Sequence, residues 1–97
     1  MALAIVWTKR AIQGYDKIVQ YLETNWTERE VRSFVLESDE FFALLSQYPE
    51  SLQKTSKYKN VYRGSMNNLT IITYRVKTRK QQIELINIRG ARQKPLK

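Results

Sequence analysis

Apolar side chains recur at steps of three and four residues along the first part of the chain. The first such stripe consists of Ile12, Tyr15, Ile18, Leu22 and Trp26. This spacing places the apolar side chains on one face of a helix, with most charged residues off that face. We therefore expect a helix over residues 9–24, capped by Thr8 and preceded by a short apolar strand at residues 3–7.

A second helix is indicated by Thr27 and Glu30, which have the T-x-x-E spacing of a capping box. In that arrangement the hydroxyl and the carboxylate satisfy backbone N–H groups at the start of a helix. The apolar positions that follow keep the helical period: Val31, Phe34, Val35, Phe41, Phe42, Leu45 and Tyr48. Pro49 predicts that the helix ends just before it. Two helices joined by so few residues predict an antiparallel hairpin.

The second half of the chain changes to the two-residue alternation of β-strands. Residues 58–63, 69–76 and 83–89 are predicted strands, and residues 64–68 form a turn-rich cluster. Along the middle strand, one face carries the residues that we predict to point into the core, Thr70, Ile72, Tyr74 and Val76. The last strand is apolar on both faces, so alternation leaves its buried face ambiguous.

The predicted element order is β-α-α-β-β-β, which is typical of an α+β fold. Two helices of about 25 Å each cover one face of a four- or five-stranded, mostly antiparallel sheet and leave the opposite face open. We expect Trp7 and Trp26 to pack the helices onto the sheet. Ninety-seven residues suffice for one compact core, so a single domain over residues 1–97 is predicted.

Charge is divided unequally between the two halves of the chain. Residues 1–50 carry eight carboxylates and five Lys or Arg side chains, a net charge of −3. Residues 51–97 carry twelve Lys or Arg side chains and one carboxylate, Glu84, a net charge of +11. This asymmetry predicts an anionic partner, either nucleic acid or an acidic protein.

The chain contains no cysteine and no histidine. Disulfides, thiolate zinc sites, a cysteine nucleophile and a histidine general base are therefore excluded, and we expect neither a metal nor a cofactor. The N-terminal apolar run is too short for a signal or membrane-spanning segment. The sequence thus predicts a cytoplasmic protein with no membrane partner.

Three segments of the basic half carry a resemblance to a known family: residues 60–64 (NVYRG), 73–76 (TYRV) and 86–95 (INIRGARQKP). Together with the elements before them, they resemble the RelE/ParE family of bacterial toxins over nearly the whole chain. The resemblance implies the toxin of a type II toxin–antitoxin (plasmid stabilisation) module, a growth inhibitor neutralised by a small acidic antitoxin. In that family, RelE-like members cleave mRNA in the ribosomal A site, whereas ParE-like members poison DNA gyrase without nuclease activity.

The candidate residues for contact with the target or the antitoxin are all basic: Arg63, Arg75, Arg89, Arg92 and Lys94. A guanidinium group suits a carboxylate or phosphate because it donates forked hydrogen bonds. For Arg63 and Arg75, a solvated strand face or an ion pair with a helix carboxylate is an equally good explanation.

RNA cleavage requires a base, a group that stabilises charge on the phosphate, and an acid. The arginines fit the second role, but a base must come from Glu84, a lysine or a tyrosine, and we assign no catalytic residue. Ile71 stands where active RelE proteins carry an arginine, and the histidine of several nucleolytic relatives is missing. These departures favour a ParE-like, gyrase-directed toxin. The alternatives are a RelE-like mRNA endoribonuclease acting through Arg, Lys and Tyr, and a non-toxic nucleic-acid-binding module.

Overall fold

A helical hairpin lies against one face of a mixed five-stranded sheet. The computed structural model describes residues 2–67 and 70–91. Its elements are β1 (Ala4–Trp7), α1 (Lys9–Asn25), α2 (Glu28–Gln47), β2 (Gln53–Lys54), β3 (Val61–Asn67), β4 (Thr70–Lys77) and β5 (Gln82–Gly90). The predicted α+β architecture is confirmed, including the antiparallel helical hairpin.

The strands lie side by side in the order β1-β5-β4-β3-β2. β5 pairs in parallel with β1 and antiparallel with β4. The remaining pairs, β4 with β3 and β3 with β2, are antiparallel. The first strand of the chain therefore lies beside the last one, and the sheet is completed through contacts that are very distant in sequence.

Threonine caps the N-terminus of each helix, as the sequence predicts. The Thr8 hydroxyl accepts a hydrogen bond from the Ala11 N–H group, which starts α1. At the start of α2, Thr27 and Glu30 form the complete capping box. α2 ends two residues before Pro49. The helix boundaries are thus fixed by local chemistry that is visible in the sequence.

The core lies between the hairpin and the sheet. β4 contributes the predicted face, Thr70, Ile72, Tyr74 and Val76. Trp7 packs edge-to-face against Tyr15 and Phe42, which confirms its expected position between sheet and helices. α1 approaches β5 so closely at Gly14 that a Cβ atom there would lie 1.8 Å from the Ile88 carbonyl oxygen. Glycine is therefore required where the helix crosses the strand.

A β-bulge resolves the ambiguity of the last strand. Thr73 pairs with Asn87 while the next residue of β4 pairs with Leu85, so Ile86 is an extra residue without an opposite partner. Leu85 and Ile88, which strict alternation would place on opposite faces, are both buried. One apolar face of the strand therefore packs in the core before the bulge, where Leu85 lies. The other apolar face packs in the core after the bulge, where Ile88 lies.

Two parts of the sheet differ from the sequence prediction. β3 continues through residues 64–67, which were predicted as a turn, and a register shift between Ser65 and Asn67 accommodates the irregular segment. The two-residue strand β2 lies in a polar segment with no alternation. A strand this short at the sheet edge needs no apolar face of its own.

Three residues of the predicted apolar stripes remain partly exposed to solvent. Ile12 and Tyr48 are 47% and 62% exposed, and Ala11 and Ser38 are buried in the interface. Trp26, at the C-cap of α1, is 40% exposed and lines a depression together with Phe34 of α2 and Met66 of β3. No helix in the described part of the chain is long and apolar enough to span a membrane.

Candidate functional site

The sheet face turned away from the helices carries a group of basic and polar side chains. The strand registers place Arg63, Thr73 and Asn87 side by side across β3, β4 and β5. Arg75 lies two residues beyond Thr73 on the same face, and Arg89 lies two residues beyond Asn87. We call these five residues the arginine face. Three of the five residues predicted to contact a partner, Arg63, Arg75 and Arg89, are thus brought onto one surface.

The three arginines surround Thr73. Arg63 is directly opposite Thr73, and Arg75 is diagonal to Arg63, at about 7–8 Å. Arg89 is opposite Ile71, which places it about 12 Å from Arg63 given strand spacings of about 4.8 Å and a rise of about 3.4 Å per residue. One extended anionic segment of a few residues is long enough to contact all three guanidinium groups.

Only part of this positive charge is neutralised locally. Glu84 of β5 pairs through Oε1 with Arg75 Nη1 at 3.9 Å and through Oε2 with Lys77 Nζ at 3.5 Å. The ion-pair partner of Arg75 is therefore a carboxylate of the neighbouring strand β5, and not a carboxylate of a helix. Arg63 and Arg89 are exposed, and within the described residues neither has a carboxylate within 4.0 Å. Two guanidinium groups are thus free to bind an anion.

An open depression of about 490 Å³ adjoins the arginine face at its β2 side. Its lining residues are Gln53, Lys54, Thr55, Ser56, Arg63, Gly64, Ser65 and Ile71. Lys54 and Arg63 supply positive charge, while the hydroxyl and amide groups offer hydrogen bonds without charge. The depression therefore extends the anion-binding surface toward the sheet edge.

Two tyrosines of the central strands lie behind the sheet. Tyr62 and Tyr74 are buried on the helix side with rings stacked at 5.4 Å and 9°. The Tyr74 hydroxyl donates a hydrogen bond to the Pro49 carbonyl at 2.6 Å. Burial raises the pKa of Tyr74 to about 12, and burial together with the Glu50 carboxylate raises the pKa of Tyr62. Both phenols keep their protons at neutral pH, so neither offers a phenolate base to the open face.

Sequence reasoning missed the uncharged members of the face. Thr73 lies at its centre and Asn87 beside it, while Gln53 extends the same row onto β2. The alternation that places Thr73 with Arg75 was visible, but the pairing across strands and the bulge were not. Arg92 and Lys94, the other two predicted contact residues, lie outside the described residues.

The arginine face is suited to binding an anion. Arginine donates several hydrogen bonds to a carboxylate or phosphate but stays protonated in proteins. Both oxygens of Glu84 already face cations. These residues therefore offer anion binding and charge stabilisation.

Comparison with known proteins agrees with this fold. The structure of the chromosomal ParDE toxin–antitoxin system from P. aeruginosa matches with a TM-score of 0.72 and 18% identity, over 92% of this chain and 96% of that one. The RelBE2 toxin–antitoxin complex of Mycobacterium tuberculosis matches with a TM-score of 0.64 and 15% identity, over 93% and 99%. A free-state mutant of E. coli toxin RelE gives 0.65 and 15%, over 95% and 86%. At these identities the similarity shows a common fold.

The sequence comparison is more specific. No curated protein sequence matches significantly. Residues 5–95, nearly the whole chain, match the family described as the ParE toxin of the type II toxin–antitoxin system, parDE. Both helices and the C-terminal strands lie within this match. The chain therefore belongs to the ParE toxin family and is a ParE/RelE-type toxin of a toxin–antitoxin module.

Proposed function

We propose that this toxin inhibits growth by binding DNA gyrase, without cleaving RNA, and that an acidic antitoxin segment neutralises it by covering the arginine face. The observation that carries the proposal is the composition of that face. It combines unneutralised Arg63 and Arg89 with amide and hydroxyl groups, and Ile71 lies between Ser65 and Arg89.

The chemistry of the face supports binding over hydrolysis. Cleavage of RNA by its own 2′-hydroxyl requires a group that removes the proton. Tyr62 and Tyr74 point into the core with raised pKa values, and Glu84 is held between Arg75 and Lys77. Apolar Ile71 in the depression adds neither charge nor a proton-transfer group.

An acidic antitoxin suits the same surface. Carboxylates bind guanidinium groups through paired, charge-assisted hydrogen bonds, and a segment that folds on binding can follow a flat sheet over several residues. Structures of related fold include toxin–antitoxin complexes from E. coli and Mycobacterium tuberculosis. Because gyrase and a neutralising antitoxin act inside the bacterium, the proposal includes a cytoplasmic location.

Induced expression in a bacterial host is expected to stop growth, and the purified protein is expected to inhibit gyrase supercoiling. Replacing both free arginines, with Arg63→Gln and Arg89→Gln, should raise the toxin concentration required for either effect by tenfold or more. The reason is that each charged hydrogen bond contributes on the order of 1.5–3 kcal/mol. The matched control is the pair Arg10→Gln and Arg29→Gln, which removes equal charge from the exposed helices.

The contrary outcome is equally concrete. A folded, well-expressed protein that leaves growth unaffected would contradict a toxic function for this chain. Growth arrest with normal supercoiling, accompanied by new 5′ ends within codons when ribosomes and mRNA are supplied, would instead establish the RelE-like alternative. The three clustered arginines favour that second candidate because they suit the charge of a phosphate undergoing attack.

A further inference from the structure

The bulge in β5 decides the direction in which Arg89 points. Without it, alternation from buried Leu85 would place Asn87 and Arg89 on the core side and Ile88 outside. The extra residue Ile86 shifts the alternation by one position. The arginine face consequently has its third guanidinium only while the bulge is maintained.

Thr8, the residue between β1 and α1, contacts the bulge directly. Its hydroxyl Oγ1 donates a hydrogen bond to the Leu85 carbonyl at 2.7 Å and lies 3.2 Å from the Ile86 carbonyl oxygen. Its backbone N–H also donates to the Leu85 carbonyl, at 3.3 Å. The same hydroxyl oxygen accepts the Ala11 N–H at 3.1 Å, which caps α1. One hydroxyl group thus joins the start of the helix to the irregular part of the strand.

These contacts have an energetic reason. A bulge removes backbone groups from the regular ladder, and a buried carbonyl without a donor costs about 1–3 kcal/mol. The Leu85 carbonyl already accepts the Thr8 N–H, and the Thr8 hydroxyl adds a donor to it and to the carbonyl of the bulged residue Ile86, from a side that the neighbouring strand β4 does not occupy. On the other side of the bulge, Gly14 allows α1 to lie against the Ile88 carbonyl. α1 therefore contacts β5 on both sides of Ile86.

We infer that Thr8 is a positioning residue for Arg89: by donating to the bulge carbonyls it maintains the strand register that presents this guanidinium on the arginine face. Thr8 itself lies away from that face and touches no ligand there. The inference rests on the proposed binding role of the face for its functional meaning, while the structural link between Thr8 and Arg89 is testable by itself.

Three substitutions separate the two tasks of Thr8. Thr8→Ser keeps both the cap and the donor; Thr8→Asp keeps a helix-capping oxygen but has no proton to donate; Thr8→Val has neither. Amide hydrogen exchange at Asn87 and Arg89 should accelerate by about tenfold in the Asp and Val variants, relative to amides of β3, and stay close to wild type in the Ser variant. Ile18→Val, a core change in the same helix, serves as the control for general destabilisation and should accelerate exchange evenly.

Heparin chromatography provides a second readout because it responds to accessible cations. Arg89→Gln should lower the salt concentration needed for elution, and Thr8→Val should lower it similarly. The double variant should elute at the same salt concentration as either single variant. The control is Arg79→Gln, in the hairpin after β4. It should lower the salt concentration needed for elution by the same amount in the wild-type and Thr8→Val backgrounds.

Three outcomes would overturn the inference: unchanged exchange at Asn87 and Arg89, normal exchange in Thr8→Asp, or additive effects of Thr8→Val and Arg89→Gln on elution. Normal exchange in the Asp variant would show that only the helix cap matters. None of these measurements requires toxicity. A wild-type protein that fails to stop growth would therefore contradict the proposed function and leave the test of Thr8 intact.

Discussion

Single residues show how the back of the sheet is fixed while its front stays available for binding. Tyr74 reaches from β4 through the core to the Pro49 carbonyl, and its ring stacks on Tyr62 of β3. This bond ties the segment after α2 to the central strands. The front of the same strand carries Thr73 and Arg75, whose side chains are only partly buried.

The raised pKa of Tyr74 predicts a specific loss of stability in alkali. A folded-state pKa of about 12 exceeds the usual value of 10 for a free tyrosine, so the folded protein retains this proton when the unfolded chain releases it. The contribution is complete below pH 10 and is lost as pH rises from 10 toward 12. Urea unfolding at pH 8 should show Tyr74→Phe less stable by about 1 kcal/mol.

By pH 11 the difference in unfolding free energy between wild type and Tyr74→Phe should shrink by about 1 kcal/mol. At that pH the unfolded wild-type chain gains stability by releasing the Tyr74 proton, and the phenylalanine variant has no such proton. Tyr48→Phe, which alters an exposed ring, is the control for general alkaline effects. A gap between wild type and Tyr74→Phe that stays constant from pH 8 to 11 would contradict the assigned pKa.

At the scale of elements, α1 lies so close to β5 at Gly14 that no side chain fits between them. Gly14→Ala should destabilise the protein by about 3 kcal/mol, although alanine is the better helix former, because the added methyl group would overlap the Ile88 carbonyl. Gln13→Ala, one position away and exposed, should be neutral or slightly stabilising. Thermal unfolding of both variants is the measurement, and equal melting temperatures would show that the helix can move away from the strand at little cost.

Helices were easier to predict from sequence than strands, for physical reasons. Helix ends depend on neighbours along the chain, so Thr27 and Glu30 disclose the start of α2 by themselves. The bulge at Ile86 contacts the Thr8 hydroxyl, 78 positions distant, and no local pattern encodes it. Likewise, the stripe containing Ile12 fixed the helical period correctly but not the rotation of α1 against the sheet, which the approach at Gly14 determines.

The same limit applies to the candidate site. Arginine positions could be selected by charge, and alternation placed Thr73 with Arg75. Which strands are neighbours, and hence which arginines share a surface, follows from the sheet order. That order has β5 between β1 and β4 and is set by packing across the whole chain.

Across the whole molecule, the division of charge along the sequence becomes a division between two faces. The helical hairpin carries seven of the nine carboxylates, whereas the arginine face lies on the opposite side of the sheet. An acidic polypeptide is therefore attracted to the sheet side and repelled by much of the helical side. Position of charge, and not net charge alone, should govern association.

The association rate with immobilised polyglutamate tests this polarity. Arg63→Glu with Arg89→Glu should slow association by about tenfold at low salt, and raised ionic strength should reduce the difference. Arg10→Glu with Arg29→Glu gives the same net charge but changes the exposed helical side, so its effect should be much smaller. Equal slowing by both pairs would indicate that net charge is sufficient.

The position of β5 also affects when the molecule can become toxic during synthesis. This strand is interior in the sheet, yet it is the last described strand to be made, and it alone gives β1 a neighbour. Until it emerges from the ribosome, α1 has no strand to lie on and the third arginine is missing. Long-range pairing of this kind also forms slowly once the chain is available. A chain interrupted before residue 82 should therefore be inert, and the interval before β5 pairs gives an antitoxin time to be present first.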